Sequence, residues 1–236
     1  MNMSKKINKE LQALINAYEF LVKGIDTKAT EADNRAYGGI IRAGKGMLVE
    51  SLAKSIVEIA WKNLGNSPSR LSLIRETVKI PIKKEYISKV KNPDVRKFIE
   101  EHIDEFYYPL KTDVHVHIDG KFKIAIECKA YTENAMLKRI LVDFTLMKQI
   151  YPDLHFVLFQ LESQLGGDYS STKSIKYGSP STHTLLSYFD IDLNIVTLLE
   201  GERKVDQPIH KPQYFKSLRK QSLISALNVF QDLLST

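Results

Sequence analysis

Asp113, Glu127 and Lys129 are the residues of this chain whose types and spacing suit one piece of chemistry. They lie in "DVHVHIDGKFKIAIECK", residues 113–129. Val114, Val116 and Ile118 alternate with polar residues before Asp119-Gly120, and Phe122, Ile124, Ile126 and Cys128 alternate after it. Alternation on both sides of an Asp-Gly pair is a strong hairpin signal. Glu127 and Lys129 are two residues apart, so they share a strand face. Asp113 opens the partner strand and lies beside the end of the second one. A three-residue loop of Ile118, Asp119 and Gly120 sets Asp113 opposite Ala125, diagonal to Glu127 and on its face. A two-residue loop would put the carboxylates on opposite faces. The spacing therefore predicts an odd-length loop, or a bulge with the same effect.

Two carboxylates and a lysine at one end of a hairpin suit phosphodiester hydrolysis. Magnesium takes one or two carboxylate oxygens and otherwise keeps water. Asp113, Glu127 and the backbone carbonyl of Cys128 are the candidate ligands. A metal there lowers the pKa of bound water and offsets charge on a phosphate. Lys129 is placed to orient or deprotonate the attacking water, or to offset charge as the phosphorane forms. A competing zinc set, Asp113, His115 and His117, is disfavoured. Residues two apart in a strand are about 6.6 Å apart, too far for neighbours to chelate one ion easily. The two histidines are expected to line the charged cleft or pair with neighbouring side chains.

The pattern of Asp113, thirteen intervening residues and then Glu127-Cys128-Lys129 resembles the PD-(D/E)XK nucleases, and within them the type II restriction endonucleases. Thr112 stands where many members have proline. The resemblance covers about residues 75–200 and implies an α/β fold: a mixed central sheet flanked by helices, here with an N-terminal helical region. It also implies a magnesium-dependent, sequence-specific double-strand DNA endonuclease that leaves 5′-phosphate and 3′-hydroxyl ends and acts as a homodimer. Many members add an acidic residue from a preceding helix, for which Glu50 is the first candidate and Glu58 the second. A junction or repair nuclease of the same fold, or an inert DNA-binding module, are the alternatives.

The elements that must position this site follow from periodicity. Residues 5–24 and 40–63 carry apolar residues at helical spacing, with the glycine-rich, basic "DNRAYGGIIRAGKG" between them. A helix is expected from Asn92 (cap) and Pro93 to about Phe106. After the hairpin, Thr132 looks like a helix cap, and the helix runs to Tyr151. "LHFVLFQL", 154–161, is apolar on both faces, as a central strand is. It should lie parallel to the strand ending at Lys129. A polar loop at 162–181, a short helix near 182–189, a strand near 193–199 and a helix near 214–234 complete the chain. We expect one nuclease domain over 1–236, with a helical region at 1–70, a core at about 75–200 and a C-terminal helix within 205–236.

The composition bounds the rest. Apolar residues make up 43% of the 236, enough for a substantial core, and the single cysteine rules out an internal disulfide. With no secretory leader or membrane span legible, a cytoplasmic protein is expected. The net charge of +6 equals the excess within residues 70–97, where nine Lys/Arg face three Asp/Glu. A local basic stripe suggests a polyanion. Lys79, Lys83 and Lys84 in the stripe, with Arg35, Arg42 and Lys45, are candidate phosphate contacts. Gln164, Lys173 and Lys176 in the loop are candidate base readers, because βα topology brings that loop to the catalytic end of the sheet. The N- and C-terminal helices are either dimer surfaces or core.

Overall fold

The computed structural model describes residues 3–30, 34–170 and 178–235, with side chains from residue 6 and excluding 26–38. The side chain of Arg35, and all of Lys173 and Lys176, lie outside these. Two long helices come first, α1 (Met3–Thr30) and α2 (Asn34–Asn63). The strands and helices that follow are β1 (Leu71–Ile74), β2 (Val78–Pro81), α3 (Lys84–Ile87), α4 (Pro93–Glu101) and β3 (Tyr107–Leu110). The chain then forms β4 (Val114–Ile118), β5 (Lys121–Glu133), α5 (Asn134–Lys148) and β6 (His155–Gln164). It ends with α6 (Pro180–Ser187), β7 (Leu193–Thr197) and α7 (Lys220–Leu234).

Five strands form a mixed sheet in the order β1-β4-β5-β6-β7, with β1, β4 and β5 antiparallel and β5, β6 and β7 parallel. Each face has its own core. Val114, Val116, Ile124, Ile126, Val157 and Phe159 pack towards α1, α2 and α7. Ala125, Phe156 and Leu158 pack with Leu137, Ile140, Leu141, Phe144 and Met147 of α5. This is the α/β architecture expected, a mixed sheet flanked by helices with a helical N-terminal region. Among the described residues no helix is long and apolar enough to cross a membrane.

The hairpin uses the bulge rather than the odd loop. Asp119 and Gly120 both have positive φ, 51° and 77°, in a two-residue turn that pairs Ile118 with Lys121. Positive φ at both central residues is what such a turn needs to follow the strand twist. The register then shifts: His117 faces Phe122 but Val116 faces Ile124, so Lys123 is the extra residue. Continuing the pairing from Val114 with Ile126 sets Asp113 opposite Glu127, not Ala125.

Other boundaries differ for identifiable reasons. Gly39, Gly44 and Gly46 of the glycine-rich segment lie inside α2. A Cβ at Gly44 would meet Ile25 of α1 at 3.1 Å, so that glycine lets the two helices approach closely. Thr132 is not a cap: β6 keeps pairing with β5 through Thr132–Ser163 and Glu133–Gln164, and α5 begins at Asn134. Gln164 is consequently a strand residue, and the loop is shorter than expected. Asn92 does cap α4, accepting from Asp94 N at 2.9 Å and Val95 N at 3.3 Å.

The excursion from 75 to 112 contains the ribbon β2–β3, α3 and α4. Because Ile74 pairs with His115, the excursion leaves and rejoins the sheet at the Asp113 end. Lys79 lies 4.4 Å from the Tyr107 ring centroid, and Lys83 and Lys84 are exposed.

Candidate active site

The start of β4 and the middle of β5 bring Asp113, Glu127 and Lys129 together. Their side chains are 19%, 20% and 30% exposed, enough to meet a ligand from one side only. The Lys129 ammonium donates to Glu127 Oε1 and, at 3.3 Å, to Cys128 O, and lies 3.6 Å from Asp113 Oδ2. Asp113 Oδ2 also accepts from the Cys128 amide at 2.8 Å, and Arg75 lies 3.3 Å from Asp113 Oδ1. Three oxygens thus converge on a single cation. They are the three expected to hold a divalent metal, and the ammonium shows that the pocket they form accepts positive charge.

The electrostatics agree with that use. Burial raises the Glu127 carboxyl above its ordinary range, opposed by Lys129 and reinforced by Asp113 and Asp143. Burial pushes the Cys128 thiol well up, with Asp113, Glu127 and Glu50 adding to it, so the Cys128 side chain is neutral. A raised carboxyl means that the folded state holds the proton more tightly than the unfolded chain. The resulting stability is full below the unfolded value, about 4.3, and is lost as pH rises through the folded one. Glu127→Gln is therefore expected to raise the Tm of metal-free protein at neutral pH. The gain should shrink on acidification towards the ordinary glutamate range; thermal melts across pH check the sign.

His115 and His117 serve the packing. Their rings stack on Phe122 at 4.5 and 5.1 Å between centroids. Burial lowers the His115 pKa to about 4, helped by the charges of His117 and Arg75. Among the described residues no group of three or more His, Cys, Asp or Glu is placed to hold a metal, so a metal here would rely on two carboxylates, a carbonyl and water or phosphate.

Glu50 sits in α2, on the other layer. It takes a 2.6 Å bond from Lys54, and its charge acts on Cys128 rather than directly on Glu127. Glu58 lies further along α2, exposed in the α1–α2 groove with Glu10 and Lys62. Arg42 is exposed, whereas Lys45 is half-buried beside Glu162 and Arg203.

One curated relative decides the family. The type II restriction enzyme DdeI of Desulfomicrobium norvegicum is 48% identical over 238 residues, covering 99% of each chain. The chain belongs to the type II restriction enzymes. No protein-family model matches it. A solved structure described as the native BbvCI A2B2 tetramer at low resolution aligns with 98% of this chain and 91% of its own, at 11% identity and a TM-score of 0.36, too slight a likeness to bear on the fold.

As a type II restriction enzyme the protein is a site-specific deoxyribonuclease. Two residues near its site were not singled out from sequence. Asp143 of α5 carries a raised carboxyl, through burial, and its charge reaches Glu127. It stands three residues after Ile140 and four before Met147, so a carboxylate within the apolar stripe was the available signal. Arg75 was visible only as one cation of the stripe; the pairing of β1 with β4 is what brings it to Asp113.

Proposed function

We propose that this enzyme hydrolyses double-stranded DNA at a specific sequence in a magnesium-dependent reaction, as a homodimer, leaving 5′-phosphate and 3′-hydroxyl ends. The observation that carries this reading is the convergence of Asp113 Oδ2, Glu127 Oε1 and Cys128 O on one cation. Asp113, Glu127 and the Cys128 carbonyl would hold the metal, which supplies Lewis-acid charge and an acidified water when bound. Arg75 and the Cys128 amide fix the Asp113 carboxylate from two directions. Lys129, freed from the carboxylates, orients the attacking water and offsets charge on the phosphorane. Glu50 acts from the opposite layer, adding negative charge behind Cys128.

One such site cuts one strand, so a double-strand cut calls for two. Phe20 and Met47, 80% and 69% exposed, line an apolar groove of about 570 Å³ between α1 and α2. A second copy of the chain is the occupant we assign to it. The core-forming alternative describes α7 better, since Leu223, Ala226, Leu227, Phe230 and Leu234 are buried against the sheet layer.

Digestion of a sequenced plasmid with magnesium, with the ends mapped, tests the reading. Discrete fragments with a common terminal sequence support it. Cutting confined to branched substrates indicates a junction nuclease, and binding without cutting an inert module.

The basic excursion is assigned to the phosphate backbone. Neutralising exposed Lys83 and Lys84 is expected to weaken cognate and scrambled duplexes about equally. The slope of log affinity against log salt should fall by about 0.9 for each phosphate that is no longer neutralised. A weakening confined to the cognate duplex would move base recognition to this excursion.

A further inference from the structure

β5 does not stop at the catalytic lysine. It continues four residues to Glu133, and β6 follows it, with Tyr131 beside Glu162 and Glu133 beside Gln164. The segment after β7 docks on this extension. The Arg203 amide donates to Ser163 O at 2.7 Å, and Ser163 forms a parallel bridge with Glu202. This fixes the Arg203 backbone at the end of β6. Its guanidinium lies over the Tyr131 ring, 3.7 Å from the centroid, and donates through Nη1 to Gln164 Oε1.

Among the described residues no carboxylate pairs with Arg203. Glu162, buried nearby, is already paired with Lys216 at 3.0 Å, and the Glu202 carboxylate accepts from the Gly166 amide at 3.2 Å. Lys45 of α2 senses both Glu162 and Arg203. Among the described residues the guanidinium is held by the neutral partners Tyr131 and Gln164.

We propose that Arg203, stacked on Tyr131 and tethered by Gln164, binds the DNA phosphate adjoining the scissile one, with Lys45 as its neighbour. Tyr131 and Lys129 share a strand face and stand about 6.6 Å apart along it, which is the scale of the step between successive phosphates of one DNA strand. A guanidinium fixed flat on a ring loses little freedom when its remaining N–H groups meet a phosphate. The inference rests on the nuclease reading above and adds a positioning residue from outside the β5 motif.

The rival role is a staple that joins the C-terminal segment to β6 without touching DNA. Salt titration separates the two. Binding to a short duplex of arbitrary sequence is measured with calcium in place of magnesium, for wild type, Arg203→Gln, Arg203→Leu and Arg203→Lys, with a thermal melt of each. The neutral variants are expected to shallow the salt slope by about 0.9, and Arg203→Lys to keep it. A neutral variant that melts like wild type and keeps the full slope overturns the proposal. So does a lowered melting temperature in all three with slopes unchanged, which is the staple. If Arg203→Leu fails to fold, Arg203→Gln, which keeps a polar group for Gln164, carries the comparison. Failure of wild type to bind the duplex would instead overturn the nuclease reading itself.

Discussion

Asp113→Ala and Glu127→Ala are each expected to abolish plasmid cleavage and to leave duplex binding intact or slightly tighter. Each removes one carboxylate from a pocket that offers two among the described residues, so the remaining oxygens are expected not to hold a divalent cation against water. Each also removes negative charge that faces the phosphates, which is why affinity does not fall with activity. Asp113 has a structural duty as well, since it accepts the Cys128 amide at 2.8 Å. Asp113→Asn keeps that acceptor and should be equally inactive, which separates a missing ligand from a disturbed hairpin. Turnover within about tenfold of wild type in any of these variants, a barrier change of only ~1.4 kcal/mol, overturns the ligand assignment.

Lys129→Ala is expected to lower turnover with little change in duplex affinity. The expected loss is ~10²–10³-fold, the range for removing one charge-stabilising donor from a transition state. Lys129 donates to Glu127 and to Cys128 O, and its interaction with the reacting phosphate is expected to develop during the step, not on binding. Single-turnover rates under magnesium and binding under calcium resolve the two. A loss of affinity with an unchanged single-turnover rate would make Lys129 a phosphate anchor.

The hairpin was legible because strand periodicity and turn chemistry are local. Asp119-Gly120 announces the turn, and the identity of Glu127 and Lys129 as face-sharing residues needs only a period of two. The need for a bulge followed from the chemistry demanded of Asp113, but its place at Lys123 did not. Boundaries set by pairing with distant strands were not legible. β5 reaches Glu133 only because β6 continues beside it, and that moved Gln164 from a loop to a strand. The strands β1, β2 and β3 have four residues each and carry lysine, proline or serine, so nothing in their own sequence outweighs the charge of the stripe. The glycines of α2 carried no helical signal because Gly disfavours helices. Gly44 is accommodated because α1 packs closely on it, through a residue as remote as Ile25. Arg203 carried no motif at all; only the docking of its segment on Ser163 brings it near the β5 extension.

The bulge at Lys123 has a consequence for how such a site can change in descent. Whether Asp113 and Glu127 meet depends on parity: the count of residues separating them must place both on the same side of a two-sided ribbon. Lys123 supplies the odd unit without contributing to catalysis. A deletion or insertion of one residue between the two acids keeps them together only where the bulge or the turn absorbs it, as loss of Lys123 itself would; elsewhere it swaps one of them into the hydrocarbon layer beneath α2, whereas changes in pairs preserve the match. Substitutions along this ribbon can therefore accumulate gradually, whereas a change of one in its length must be taken up by the bulge or the turn.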